Sequence, residues 1–376
     1  MVPENYAHNR VPEALRALVT EIMSIDDIET VRRGDLEVPR FIGRLQLEAQ
    51  AAYDQISPRL KAMDMLGLLQ QESDRAALVV LPALVPPRPS RLWLALLLFL
   101  LTVASTILVG SPDLDWATGV SSWNLGKGIA FSAALLGILL AHELGHYIVA
   151  RREGVAVSYP FFIPMPLFLL GTMGAFISIK EPVPNRRALL AIAVAGPLAG
   201  LVVTIPVLLI GLALSPVHNI DTVRAALPAT VFFTEGNSIL YAALKFLVFG
   251  RFLPDGGDDV YMHPVALAGW AGLLVTGLNL LPAGQLDGGH IFFALFGPKA
   301  AQLMSMAVAV GLLAMGMLWS GWFLWAIIIA LLGQGRSPLL NEISPLDSRW
   351  RALAFLGLVV FVLTFTPIPI QEMAGL

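Results

Sequence analysis

Five predominantly apolar runs, at residues 92–110, 128–150, 188–214, 264–282 and 300–319, dominate what this chain can fold into. Each is close to the about 20 residues that an α-helix needs to cross a bilayer, so the chain reads as a membrane protein. Two shorter runs, 321–333 and 352–367, bring the expected number of crossings to six or seven. Composition agrees: 14% of the residues are charged, against about 25% in soluble domains.

The charges are unevenly placed. Residues 1–90 hold 23 of the 51 charged side chains, so a polar N-terminal domain (1–88) is expected before a membrane domain (89–376). Apolar residues at helical spacing over 11–31 and a helical stretch over 49–65, set among short apolar runs, indicate a small α+β fold. Pro82, Pro86, Pro87 and Pro89 then predict a stiff linker in which helix cannot continue. Arg88 and Arg91 precede the first run, while Arg151, Arg152, Lys180, Arg186 and Arg187 follow the second. Lys299, Arg336, Arg349 and Arg351 flank the later ones. With a cytoplasmic N-terminus nearly all these cations fall on one side, as the positive-inside bias requires, and an inner cell membrane location is expected. The N-terminus lacks a basic stretch followed by an apolar one, so no cleaved targeting signal is expected. A net charge of −3 offers no basic stripe for a phosphate backbone, which excludes nucleic acid as a partner. The absence of cysteine excludes disulfides and thiolate ligands.

Two segments fit no ordinary span. Residues 158–180 are apolar but contain Pro160, Pro164 and Pro166, and the Gly171/Gly174 pair suggests extended chain with a turn. Non-helical backbone at membrane depth needs cover from protein or a watery cavity, so a re-entrant β-like loop is expected. Residues 237–250 are amphipathic around Lys245 and are expected at the interface. No internal repeat is visible, which weakens an inverted-repeat transporter. The expected fold class is an all-α polytopic membrane protein with a re-entrant β-like loop and a small N-terminal α+β cytoplasmic domain.

Within 128–150 lies AHELGHYIVA, which holds His142, Glu143 and His146. Histidines at i and i+4 share one helix face, so both imidazoles can reach one ion while the glutamate holds an attacking water. With 6 His and 13 Glu in the chain, chance yields this spacing in only about three of a thousand such sequences. An ionisable cluster inside a membrane helix is costly and reads as functional. Zinc in a catalytic site usually takes three protein ligands, so a third must come from elsewhere. NLLPAGQLDGGH, residues 279–290, offers Asp287, with Gly288 and Gly289 allowing close backbone approach. Asp287 also suits the N-cap of a following helix. His290 is open between a group supporting the ligands, a substrate contact and an ordinary interfacial histidine. Asn279 can hydrogen-bond a substrate backbone or bridge helices. Both clusters fall toward the cytoplasmic side at similar depth.

HELGH with NLLPAGQLDGGH resembles the site-2 protease family of intramembrane zinc metalloproteases. GTMGAFI at 171–177, AGPLAG at 195–200, the run at 263–282 and the tail at 344–369 are similar to its bacterial and chloroplast subgroup, which contains the ethylene-dependent gravitropism-deficient and yellow-green proteins. The resemblance covers most of residues 90–370. It implies one zinc ion held by His142, His146 and Asp287, Glu143 as general base, and a β-hairpin at 158–180 along which an unfolded substrate stretch adds as a strand. Gly171, Gly174 and Asn279 are the candidate substrate contacts. Many relatives carry a PDZ domain between the two metal motifs; residues 215–262 are too few for one. The expected partners are the bilayer and membrane proteins with a transmembrane segment, cut near the cytosolic face. Two rivals remain, a catalytically silent scaffold of the same fold and a metal transporter.

Overall fold

The computed structural model of the protein describes residues 11–33, 36–82, 90–115, 120–222, 231–332 and 339–374. α1 (Glu13–Thr20) leads into antiparallel β1 (Met23–Arg33) and β2 (Leu36–Leu45). α2 (Ala49–Ala62) follows, then the hairpin of β3 (Met65–Glu72) and β4 (Arg75–Pro82). Leu15, Val19, Phe41, Ile56, Leu60, Leu69 and Leu78 form a buried core in this layer. The helix expected over 11–31 ends at Thr20. Beyond it Ile25 and Ile28 are three apart and mimic helical spacing, but a β-bulge between Ile25 and Asp27 inserts one residue. The bulge turns both isoleucines toward the same core while the chain remains a strand.

β9 (Val183–Asn185) and β13 (Leu339–Asn341), from far along the chain, join this sheet. The strand order is β1-β2-β4-β3-β13-β9, with β13 parallel to both β3 and β9. Most of the proline linker, with Arg88, and also Arg336 lie outside the described residues.

Among the described residues four helices are long and apolar enough to cross a membrane: α3 (Leu92–Gly110), α4 (Leu125–Arg152), α5 (Arg186–Ala213) and α8 (Asp287–Met315). The remaining apolar helices are shorter: α6 (Ile239–Phe249), α7 (Pro264–Asn279), α9 (Gly321–Leu332) and α10 (Ser348–Thr364). The protein is thus a membrane protein, and among the described residues four of the six or seven crossings expected have helices of full spanning length and composition. At 1.5 Å per residue α7 is about 24 Å long, short of the about 30 Å hydrocarbon core. The run at 300–319 falls mostly in the second half of α8, which begins at Asp287 and bends at Gly297 (φ 81°, ψ 179°), just before Pro298.

The membrane portion is also less purely helical than expected. Two-stranded ribbons pair β5 (Pro112–Asp115) with β6 (Val120–Trp123), β10 (Val217–Asn219) with β12 (Asp258–Val260), and β11 (Val231–Glu235) with β14 (Ile370–Ala374). Strands of three to five residues carry too few side chains to show a period of two. The amphipathic segment 237–250 contains α6, and its Lys245 is fully buried, with Nζ 2.9 Å from Glu235 and 3.2 Å from Asp259.

Residues 158–180 form the hairpin their prolines and glycines suggest, β7 (Phe161–Pro164) against β8 (Thr172–Phe176). It docks on α3: Phe162 is buried edge-on to Phe99, and Ser105 Oγ donates to the Gly171 carbonyl at 2.6 Å. Between α4 and α5 small residues allow close packing, since a Cβ at Gly145 would stand 2.5 Å from the Ala195 carbonyl oxygen.

Candidate metal centre

α4 brings His142, Glu143 and His146 to its last turns before Arg151, all three buried. One helical turn separates the two imidazoles, whose Nε2 atoms lie 3.1 Å apart. Asp287 is the first residue of α8, and its Oδ2 stands 3.4 Å from His142 Nε2 and 3.3 Å from His146 Nε2. The N-cap alternative for Asp287 is not realised: Leu286 occupies that position.

Local sequence explains the aim of Asp287. A Cβ on Gly288 would collide with the Leu280 carbonyl, and one on Gly289 would sit 2.5 Å from the Gly284 carbonyl oxygen. The Gly-Gly pair therefore lets the start of α8 rest on the preceding turn, which swings the carboxylate toward α4. An acidic group there also meets the positive end of the helix dipole.

The three atoms fit a zinc ion. Nitrogen and oxygen ligands about 2.0–2.1 Å from a tetrahedral zinc lie about 3.3 Å from one another. The observed separations of 3.1, 3.3 and 3.4 Å match that spacing. Tautomer chemistry agrees: His146 Nδ1 donates to the Ile192 carbonyl at 2.7 Å, which leaves the Nε2 lone pair of the neutral ring directed at the centre. Among the described residues this is the group of three such side chains whose ligand atoms converge.

The ligands open onto a cavity of about 210 Å³ that Glu143, Asn279, Gln285 and His290 also line. Asn279, at the end of α7, places Nδ2 3.3 Å from His142 Nε2. The hairpin supplies Ala175, Phe176 and Ile177 to the same wall as Glu143. Gly171 and Gly174 do not line this cavity. Both have positive φ, 72° and 98°, and shape the hairpin, with Gly171 held against α3. Gln285 is not legible in the sequence, because a lone glutamine in a loop has no motif.

The arrangement can hold a divalent cation, place a carboxylate beside it and present an extended backbone edge. Comparison with known proteins agrees. The family model described as Peptidase family M50 matches residues 130–319. The chain is 32% identical over 346 residues to Probable zinc metalloprotease EGY2, chloroplastic, of Arabidopsis thaliana, covering 88% of this chain and 60% of that protein. It is 29% identical over 340 residues to Probable zinc metalloprotease EGY1, chloroplastic, of the same plant, covering 83% and 58%. Probable zinc metallopeptidase EGY3, chloroplastic, also from Arabidopsis thaliana, is 31% identical over 243 residues, covering 61% and 41%. The chain thus spans about three fifths of the length of the first two. With its family model matched across half its length, this chain belongs to peptidase family M50.

Proposed function

We propose that the protein is an intramembrane zinc metalloprotease that hydrolyses peptide bonds in or near transmembrane segments of membrane-protein substrates, on the side of the bilayer that faces its N-terminal layer. The observation that carries this reading is the meeting of His142, His146 and Asp287 beside Glu143 in one cavity, on helices long and apolar enough to span a membrane. A single zinc ion bound there supplies Lewis acidity toward a water and a scissile carbonyl. Glu143 takes the proton from the attacking water and delivers it to the leaving amine. Asn279 offers an amide to the substrate backbone. The edge of β8 offers a site for an unwound substrate stretch to pair as a strand, next to Glu143. A transmembrane helix hides its carbonyls in i to i−4 hydrogen bonds, so substrates need a helix-destabilising stretch near the cut.

The charge distribution supports an N-terminal layer in the cytoplasm and a multi-pass chain in a cell membrane. A transporter requires ligands along a path to both sides, and the converging ligands among the described residues form one group near one end of α4. The test is cleavage of a membrane-protein substrate reconstituted with the protein, beside Glu143→Gln. Cleavage that survives this substitution removes the catalytic assignment. A stiff poly-Leu span cut as fast as one containing Gly, Asn or Pro removes the unwinding step.

A further inference from the structure

The N-terminal layer and the metal centre share structural elements. Consecutive residues of β13 belong to two different cores: Leu339 packs with Val183, Leu189 and Ile192 of the membrane portion, and Leu340 packs against the N-terminal core. Asn341, fully buried, is the register partner of Asn185 on β9. Both asparagines are held by the first turn of α2. Asn341 Nδ2 donates to the Ala49 carbonyl at 3.2 Å, and Asn185 Nδ2 donates to Gln50 Oε1 at 3.1 Å. The remaining amide valences of Asn341 are also used, by Ser344 Oγ and by the backbone N–H groups of Ile343 and Ser344.

Asn185 is also the N-cap of α5, its Oδ1 accepting from Ala188 N at 2.9 Å. Seven residues on, about 10 Å along the helix, the Ile192 carbonyl fixes the His146 ring, and Gly196 lies against that ring. The return leg of the hairpin closes at Lys180, whose N–H donates to the Ala156 carbonyl at 2.8 Å, just before β9. One clip on α2 therefore bears on both α5 and the base of the hairpin.

We propose that Gln50, Asn185 and Asn341 are positioning residues for the metal centre, so that the N-terminal layer is part of the proteolytic machinery rather than a tethered recruiting module. The inference deepens the protease reading and rests on it, but its main readout is metal geometry. The full chain in lipid nanodiscs is loaded with Co²⁺ as wild type, Gln50→Ala, Asp54→Ala and the double variant Gln50→Glu/Asp54→Ala. Asp54 accepts from Gln50 Nε2 at 2.8 Å on the side away from Asn185, so Asp54→Ala leaves the clip intact and, in the double variant, removes the carboxylate that would repel a glutamate at position 50, which keeps the acceptor for Asn185 Nδ2. The expected result for Gln50→Ala is a changed cobalt d–d spectrum and a cobalt affinity about fivefold weaker, the equilibrium worth of one lost neutral hydrogen bond. Asp54→Ala and Gln50→Glu/Asp54→Ala should match wild type, and where cleavage is followed, kcat should fall in Gln50→Ala with KM little changed. A Gln50→Ala protein with a wild-type spectrum and affinity overturns the proposal, even if it melts earlier. If wild type and all variants fail to cleave yet the cobalt differences appear, the positioning role stands and the protease reading falls. Wild type that binds no cobalt overturns both.

Discussion

Gly196 of α5 lies directly against the His146 imidazole, so close that a Cβ would overlap Nε2 and the two ring carbons beside it. Gly196→Ala must push the ring out of line with Asp287 or part α4 from α5. We expect metal affinity to fall at least about tenfold, the scale seen when groups that orient a ligand are lost. At Gly200 a Cβ would sit 3.3 Å from His142 Cβ and Nδ1, so Gly200→Ala should cost much less. Competition with a chromophoric chelator measures both.

Metal should stabilise the fold. A ligand at a hundred times its dissociation constant adds about 2.7 kcal/mol, so stripping the metal with a chelator should lower the melting temperature of detergent-purified protein. Asp287→Asn should melt like the stripped wild type with or without chelator. Glu143→Gln, whose carboxylate is not among the three converging ligands, should keep the chelator-sensitive shift while losing cleavage.

Removing Lys245 strands two buried carboxylates. Lys245→Ala should cost about 3–5 kcal/mol, as for a buried charge left without its partner. The cost should depend on pH. Burial already pushes the Glu235 carboxyl up, and the Lys245 ammonium opposes that shift. Without the lysine the folded carboxyl rises further above its unfolded value, so the folded state binds the proton more tightly. The destabilisation should be complete above the folded pKa and fade as pH falls toward the unfolded value. Melts of both proteins at pH 5 and pH 8 decide this, and equal losses at the two would show that charge is not the cause.

Hairpin docking and metal binding should separate. At Gly171 a Cβ would lie 2.9 Å from the Ser105 carbonyl oxygen, on backbone with φ 72°. Gly171→Ala should therefore lift the hairpin from α3 and lower cleavage severalfold, while zinc content stays near one per chain. Ser105→Ala, which deletes one hydrogen bond of about 1 kcal/mol, should show a smaller loss in the same assay.

The metal site was legible because its chemistry is written in side chains at fixed spacing. His142 and His146 declare a shared helix face, and Asp287 with its two glycines marks a helix start that can be aimed. The hairpin was legible from prolines and glycines that forbid a straight helix. What stayed hidden depends on partners remote in sequence. Lys245 reads as an interfacial lysine until Glu235 and Asp259 are seen around it. Ile25 and Ile28 read as a helix until the bulge is seen.

The parallel splice of β13 between β3 and β9 has a consequence for how the chain is made. Leu69 waits for its partner Asn341, 272 positions later in synthesis. Until then β3 is an open edge of the four strands made first, with unpaired backbone able to recruit another chain. Closing so long a loop is slow and gains nothing until the last contact forms. The sheet is therefore sealed only after the intervening helices have been inserted, which makes completion of the N-terminal layer a report that the membrane portion has been assembled.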